Sequence, residues 1–399
     1  MIKLATIPSG YKTSKLYSVV PNDGLGDFTF VRTTEATRIN EDGLIETLDA
    51  NIPRLDYSKS GCPELLMERV STNLLTYSED FSGWINTSST DTFGAISPSG
   101  LANATTLTDD GSGGASGNVR IQKNGISINA TTVYTFSCFL KPNPNNIVEI
   151  KTANDDAIRG GAFDLSNETF TPLNSETGNI ELLSNDWYKV SVTWTSGSDT
   201  SIALRVGFPN ITRDGTNSFI LWGTQLEQST KATSYIPSLL GTATTRAIDR
   251  ITDLTTIDVT SDDWTLFINA DYTDLNFSFG CISINDGDDD NHLRIMNIIS
   301  TDEVRVTNRV GGTGVNNYNI FHSTWGYKLK IGIVSTSNGI DIYVNGQLAS
   351  SQTSGRIDMS GMTNIGFTDG SGDNFLGRIS DFRYYNTNLS NDDIIKLTE

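Results

Sequence analysis

The clearest structural signal in the chain is an alternating stretch near its end, KLKIGIVSTSNGIDIYVNGQLASS (328–351). Its apolar residues recur at every second position: Leu329, Ile331 and Ile333, then Ile340, Ile342 and Val344. Such alternation indicates half-buried strands. Asn345-Gly346 follows, and this pair strongly favours a tight hairpin turn because both residues tolerate positive φ. The stretch therefore predicts two strands and a tight turn into a third.

The same pattern continues through the middle of the chain, in VYTFSCFL (133–140), WYKVSVTW (187–194) and SIALRVGF (201–208). Clusters of Gly, Asn, Asp and Pro bound these runs and supply turns. One short helix is expected in SNDDIIKL (390–397), with Ser390 as its N-cap and two aspartates in its first turn. The pattern is typical of antiparallel sheets with one apolar and one polar face.

We therefore predict an all-β chain with two antiparallel β-sandwiches (jelly rolls) in tandem, preceded by a short extended, anchoring segment. Turn-forming residues in PSLLGTATTRAID (237–249) place one boundary near 245, and a second is expected near 69. The predicted parts are an N-terminal anchoring or oligomerisation segment (1–69), a jelly roll (70–245) and a second sandwich (246–399).

Composition excludes several classes of protein. The net charge is −19, which disfavours binding to a phosphate backbone, so we expect no nucleic-acid partner. No run approaches the length of apolar segment that spans a membrane, and we expect neither membrane insertion nor a secretory signal. The three cysteines, Cys62, Cys138 and Cys281, are too widely spaced to indicate a disulfide framework, and we expect them to be buried.

The N-terminal part contains FTFVRTTEATRINEDGLIET (28–47), NIPRLDYSKSGCPELLMERVSTNLL (51–75) and TYSEDFSGW (76–84). These strings resemble a pattern of virion and tail proteins of tailed phages. The residues that fit it are Arg32, Thr37, Asn40, Gly43, Leu44, Ile45, Pro53, Arg54, Asp56, Glu68, Thr72 and Asn73, whereas Thr33-Thr34 departs from the usual Ala-Ser. The resemblance implies a virion protein assembled in the host cytoplasm.

Two further resemblances concern the sandwiches. WGTQLEQSTKATSYIPS (222–238) and TRAID (245–249) are similar to the closing strings of phage jelly rolls of the carbohydrate-binding-module type, with Thr224 in place of the usual Ala. GIDIYVNGQLASS (339–351) and FLGRISDFRYYNTNLSNDDIIKL (375–397) resemble concanavalin A-like, laminin-G-type domains. The matching positions of the latter are Gly377, Ile379, Phe382, Tyr385, Leu389 and Ser390. This fold hosts lectins, hydrolases and architectural modules alike.

The sequence offers no recognisable catalytic constellation. A glycoside hydrolase needs two carboxylates in a cleft, and concanavalin-like glucanases place them in an E-x-D-x-x-E arrangement that is missing here. Glu303 and Glu399 are the only glutamates after residue 245, and His292 and His322 are the only histidines. We therefore expect a protein that is not an enzyme, with no certain cofactor.

Calcium is the metal ion that the sequence suggests. Asp286, Asp288 and Asp290 alternate in NDGDDDNH (285–292), and a second loop holds Asp369 and Asp373. Hard cations bind several such oxygens. The alternative is a pair of acidic, solvated loops.

Glycan binding needs exposed aromatic rings beside polar groups. Trp325, Tyr318 and Trp84 are the candidates, with core packing as the alternative for each. Trp187, Trp194 and Trp222 lie in strand patterns and are expected in the core.

These observations favour a non-enzymatic structural protein of the phage particle, in a fibre, tail or head decoration, that presents its sandwiches to host-surface glycans. Its expected partners are other virion proteins, further copies of itself and host glycans. The alternative hypothesis is a purely architectural component of the particle that binds no glycan, and a third, less favoured hypothesis is a polysaccharide depolymerase.

Overall fold

The protein is described by a computed structural model that covers residues 1–58, 61–116, 118–153, 156–252, 259, 261–272, 281–287, 290–353, 361–368 and 374–399. Antiparallel strands dominate the described residues, and the prediction of an all-β fold is confirmed.

The chain forms two compact units. The middle unit contains residues 36–47 and 70–246, and the C-terminal unit contains residues 1–35, 48–69 and 247–399. Most of the first 69 residues therefore share a unit with the end of the chain and form no body of their own. Their apolar side chains explain this arrangement, because Leu4, Phe28 and Leu65 are fully buried in the same core as Trp264 and Phe382.

Two six-stranded sheets form the middle unit. Sheet A has the strand order Ile85–Thr87, Arg120–Ser127, Ser201–Gly207, Ile147–Ala153, Gly160–Asp164 and Thr169–Pro172. Sheet B has the order Ser89–Ala95, Ala104–Asp109, Ser218–Glu227, Val133–Pro142, Tyr188–Thr195 and Thr177–Leu182. Short pairings join Ala36–Ile39 to Ile45–Leu48, Ser71–Asn73 to Thr244–Arg246, and Ala115–Ser116 to Ile211–Thr212; a 3-10 turn covers Ser184–Asp186.

The central strand Val133–Pro142 shows how alternation produces this core. Tyr134, Phe136, Cys138 and Leu140 are all buried on one face, as predicted. Phe139, on the opposite face, is buried in a second cluster with Trp222, Trp187 and Tyr235. Trp194 is buried in the first cluster, so the three tryptophans expected in the core lie there.

Asn73 connects the beginning and the end of the middle unit. Its Nδ2 donates to the carbonyl oxygens of Thr224 and Ile236, at 3.1 and 3.0 Å. Its Oδ1 accepts from the backbone nitrogens of Leu75 and Leu226, both at 3.1 Å. A fully buried amide with all these partners stabilises one arrangement of the chain, because any other would leave polar groups unpaired. This is the structural role of the strings that bracket the jelly roll.

The C-terminal unit contains an eight-stranded and a five-stranded sheet. The first has the order Gln347–Gln352, Ile340–Val344, Lys328–Ser335, Thr265–Asp271, Gly377–Tyr385, Glu64–Met67 and Arg54–Asp56, with Ile2–Thr6 also paired to Gly377–Tyr385. The second has the order Thr313–Phe321, Glu303–Val310, His292–Ile298, Cys281–Asn285 and Asn364–Gly366. The other elements among the described residues of this unit are the strands Tyr11–Lys12, Lys15–Leu16, Phe28–Val31 and Arg250–Ile251, the helices His322–Trp325 and Asn391–Thr398, and a 3-10 turn at Ile299–Thr301.

Both local predictions at the end of the chain are confirmed. Asn345 and Gly346 have φ values of 46° and 81° and connect two strands whose last pair is Val344 with Gln347. The side chain of Ser390 accepts a hydrogen bond from the Asp393 nitrogen and caps the terminal helix.

A buried ion network lies in the C-terminal unit. Asp249 Oδ1 lies 3.1 Å from Arg32 Nη1, and its Oδ2 accepts from Arg54. Arg54 Nη1 also lies 2.6 Å from Glu68 Oε2, and Arg32 donates to three backbone carbonyl oxygens. Burial alone would lower the pKa of Arg54, but Asp249 and Glu68 outweigh this effect and raise it. These four residues belong to the phage-type strings, which therefore have a structural role in this unit.

Candidate functional site

The three aromatic residues predicted to bind glycans differ in how deeply they are buried. Trp84 lies in the core of the middle unit with its ring 5.3 Å from that of Phe81, so it does not form the exposed platform that the sequence suggested. Trp325 and Tyr318 are partly buried against the core of the C-terminal unit. The Tyr318 hydroxyl donates to the Ala349 carbonyl oxygen at 3.1 Å, and partial burial raises its pKa. Neither ring is fully open to a ligand.

The predicted calcium loops are described only in part. Asp288, Asp369 and Asp373 lie outside the described residues. Asp286 Oδ2 accepts from Asn291 Nδ2 at 2.6 Å, and the Asp290 carbonyl oxygen accepts from the Gly312 nitrogen at 2.9 Å. Within the described ranges, no group of three or more His, Cys, Asp or Glu residues is arranged to hold a metal ion. Calcium binding stays a prediction.

Of the three cysteines expected to be buried, two have described side chains and one of these differs from the expectation, whereas the side chain of Cys281 lies outside the described residues. Cys138 is buried, and burial raises the pKa of its thiol, whereas Cys62 is exposed. Neither forms a disulfide. As for the membrane, none of the helices in the described ranges is long and apolar enough to cross one.

A cleft of about 410 Å³ opens on the middle unit. Its lining combines exposed apolar side chains with acidic and amide groups: Tyr77, Glu79, Asp80, Asp91, Phe93, Asn103 and Leu239 are the members discussed below. Its volume falls within the range of small-molecule binding sites, about 300–1,000 Å³. We therefore take this cleft, hereafter the Tyr77 cleft, as the candidate functional site.

Three large side chains form the apolar part of the Tyr77 cleft. Phe93, Leu239 and Tyr77 are 65%, 52% and 46% exposed. Burying such surface is favourable, at roughly 25 cal/mol per Å². A ligand that covers these three side chains would remove their apolar surface from water, which favours binding in the cleft.

Local backbone features position two of these rings. Phe93 lies in Ser89–Ala95, the edge strand of sheet B, where Gly94 has a φ of 115° and the register shifts between Phe93 and Ala95. Such bulges redirect side chains. Tyr77 has a φ of 59°, a strained value for a non-glycine residue. A Cβ on Gly241 would lie 2.5 Å from the Tyr77 hydroxyl oxygen, so only glycine fits beside it.

Glu79 accepts hydrogen bonds from two side chains at the cleft. Its Oε1 accepts from the Tyr235 hydroxyl at 3.0 Å, and its Oε2 accepts from Asn103 Nδ2 at 2.7 Å. Burial raises the pKa of Glu79, and the two hydrogen bonds act in the opposite direction. Tyr235 is itself buried, with a raised pKa, and its hydroxyl also bonds to Ser78. The Glu79 carboxylate is thus held in a fixed orientation before any ligand binds.

Two more carboxylates lie at the cleft. Asp80 is exposed and accepts from the Ser82 nitrogen at 2.8 Å, and hydrogen bonds from Ser82 lower its pKa. Asp91 is exposed and accepts from Asn86. Among the described residues that line the cleft, none is Lys, Arg or His. Lys123 lies outside the lining and offsets part of the charge near Asp80.

Sequence reasoning missed the aromatic residues of this cleft. It favoured tryptophan, whereas the exposed rings belong to Tyr77 and Phe93. A usable signal existed in TYSED (76–80), where two acids follow an aromatic residue after one serine, and in STDTFGA (89–95), where a lone Phe interrupts a polar strand. Neither pattern is specific enough to be chosen without the fold.

Comparison with known families gives one match. Residues 256–395 match the family described as the Concanavalin A-like lectin/glucanases superfamily. The prediction of a concanavalin A-like, laminin-G-type sandwich at the end of the chain is confirmed by this match. A search of curated proteins found no match.

Among solved structures, the carbohydrate-binding module CBM40 of the Ruminococcus gnavus IT-sialidase, bound to α2,3-sialyllactose, is 19% identical with a TM-score of 0.30, covering 35% of this chain and 84% of that one. The leech intramolecular trans-sialidase is 19% identical with a TM-score of 0.29, and the match covers 35% of this chain and 23% of that one. The Trypanosoma rangeli sialidase is 11% identical with a TM-score of 0.26, covering 99% and 81%. Similarities this weak do not transfer a binding site.

Proposed function

We propose that this chain is a non-enzymatic structural protein of a phage particle whose middle unit binds host-surface glycans in the Tyr77 cleft. The observation that carries the binding proposal is the combination of exposed rings and fixed polar groups in one cleft. Sugars present apolar C–H faces that pack on aromatic rings, and hydroxyls that donate to carboxylates. Phe93 and Tyr77 would contact the sugar face, and Glu79 and Asp91 would accept from its hydroxyls.

The virion role rests on the phage-type strings in the first 84 residues and at 222–249. Fibres and decorations carry many copies, and linked weak sites gain roughly 10²–10⁴ in avidity. We therefore expect the chain to self-associate. Sedimentation of the purified chain tests self-association, and antibody labelling of intact particles tests whether the protein is on the virion.

Binding in the cleft is tested by glycan-array screening followed by calorimetry. Phe93→Ala should weaken binding of an array hit about two- to tenfold, because a lost ring contact costs about 0.5–1.5 kcal/mol. Leu182→Ala is the matched control, since Leu182 is 53% exposed on the same unit but lies outside the cleft. Equal affinity of Phe93→Ala and the parent would refute the proposal. Loss of self-association in Phe93→Ala, with no glycan bound by the parent, would assign the cleft to protein contacts instead.

One observation favours a second candidate function, glycan hydrolysis. Burial raises the pKa of Glu79, whereas hydrogen bonds from Ser82 lower that of Asp80, and divergent carboxyl pKa values are typical of acid–base pairs. Binding remains the better proposal because both Glu79 oxygens already accept hydrogen bonds, which oppose its role as a proton donor. Release of reducing ends from host polysaccharide, abolished in Glu79→Gln, would favour hydrolysis.

A further inference from the structure

The Tyr77 cleft has a charge that restricts which glycans it accepts. Building on the proposed function, we infer that it selects amino sugars with a free ammonium group over neutral N-acetylated sugars and excludes acidic sugars. Three carboxylates and no basic residue occur among the described lining residues. Lys123 offsets one of these charges in part, and the cleft remains acidic.

The carboxylates approach the cleft from two different segments of the chain. Glu79 and Asp80 follow the strand Ser71–Asn73, whereas Asp91 belongs to the edge strand Ser89–Ala95. The negative charge of the lining therefore comes from two separate segments of the chain. A sugar carboxylate would be repelled there, and a sugar ammonium would be attracted.

The aromatic rings lie close enough to act together with these charges. Asp91 and Phe93 are two residues apart on one strand, so they point to the same face with their Cα atoms about 7 Å apart. An ammonium group near an aromatic face gains a cation–π attraction that a neutral acetamide lacks. A single sugar residue can thus contact the Phe93 ring and offer its amine to the Asp91 carboxylate.

The fixed position of Glu79 adds selectivity. Asn103 and Tyr235 already donate to its two oxygens, so the carboxylate has no rotational freedom to lose when a ligand binds. An ammonium group has three donors and no acceptor, which matches a site of carboxylate acceptors. A ligand carboxylate would add only acceptors to a site that lacks basic donors.

Calorimetry on the full chain tests this selectivity with three probes: a glucosamine oligosaccharide, the N-acetylglucosamine oligosaccharide of equal length, and sialyllactose. We expect the glucosamine oligomer to bind at least about tenfold more tightly than its acetylated partner. The difference should shrink when salt rises from about 0.05 to about 0.5 M, because exposed charges are screened. Sialyllactose should not bind measurably.

Asp91→Asn removes one charge and keeps the shape of the side chain. It should reduce the preference for the amine about threefold or more, as expected for one partly exposed ion pair. Asp199→Asn is the control, because Asp199 is an exposed aspartate of the middle unit that does not line the cleft. An equal effect of both variants would overturn the inference, since the preference would then reflect the overall charge of the unit.

The outcomes separate this inference from the proposed function. Equal binding of the amine and the N-acetyl oligomer, or tighter binding of sialyllactose, refutes the charge selection and leaves glycan binding intact. Failure of all three probes and of every array glycan refutes the proposed function itself. Tight amine binding that is insensitive to Phe93→Ala also overturns the inference, because it places the amine outside the cleft.

Discussion

Replacing Asp249 by asparagine should destabilise the C-terminal unit far more than a single surface substitution does. Asp249 is fully buried and accepts from Arg32, from Arg54 and from the Glu68 nitrogen at 2.8 Å. In the native network the two guanidinium groups lie against the carboxylates of Asp249 and Glu68. Asp249→Asn preserves the size of the side chain and removes the carboxylate charge that pairs with both buried guanidinium groups.

The magnitude follows from that loss of charge. Breaking a buried ion pair by removing one partner costs about 3–5 kcal/mol, because the remaining charge stays desolvated. Asp302→Asn is the control in the same unit: Asp302 is exposed, and asparagine tolerates its φ of 52°. This control should change the free energy of unfolding by no more than about 0.5 kcal/mol.

The assay must resolve the C-terminal unit from the middle unit. Hydrogen exchange followed by mass spectrometry reports the opening free energy of peptides from 265–271 and 328–335 separately from those of the jelly roll. The double variant Arg54→Met/Glu68→Met removes one charge of each sign and should cost less than the sum of its single variants. A cost of Asp249→Asn no larger than that of Asp302→Asn would refute the view that these residues form one coupled, buried network.

Three other substitutions have defined expectations. Ser390→Ala should cost about 1 kcal/mol in thermal unfolding, since the cap of the terminal helix is lost; an unchanged Tm would contradict the cap. Gly346→Ala should cost about 1–2 kcal/mol in urea unfolding, because alanine is strained at a φ of 81°; no loss would argue against the tight turn. Asp109 has a lowered pKa because its hydrogen bonds, including those from Gly111 and Gly215, outweigh the effect of burial. The stabilisation that comes with this lowered pKa is present above the unfolded pKa of about 3.9 and disappears as pH falls through the lower folded value, so unfolding of Asp109→Asn and the parent should converge in acid.

Local features were predictable because their causes are local. The turn at Asn345-Gly346 and the cap at Ser390 depend on residues next to each other in the sequence, and both are confirmed. The alternation in 133–140 likewise predicted one buried face, although burial of the opposite face depends on a second cluster that periodicity does not reveal.

Long-range features were not predictable from the sequence pattern. Arg32 and Asp249 are 217 positions apart, and nothing in their separate motifs indicates that they pair. The Tyr77 cleft likewise combines a loop, an edge strand and Leu239, so its aromatic residues became recognisable only once the fold brought them together. Trp84 was a reasonable candidate by residue type, but type alone does not determine burial.

The eight-stranded sheet pairs strands that are far apart in the chain, and this affects how the protein folds during synthesis. Strands Ile2–Thr6 and Glu64–Met67 hydrogen-bond to Gly377–Tyr385, which is synthesised more than 300 residues after them. Residues 70–246 can acquire their core while translation continues, but the early strands must wait on the order of ten seconds longer at roughly 5–20 residues per second. During that interval their unpaired edges are open to aggregation, so chaperone supply should limit the yield of the intact protein more than that of the isolated jelly roll.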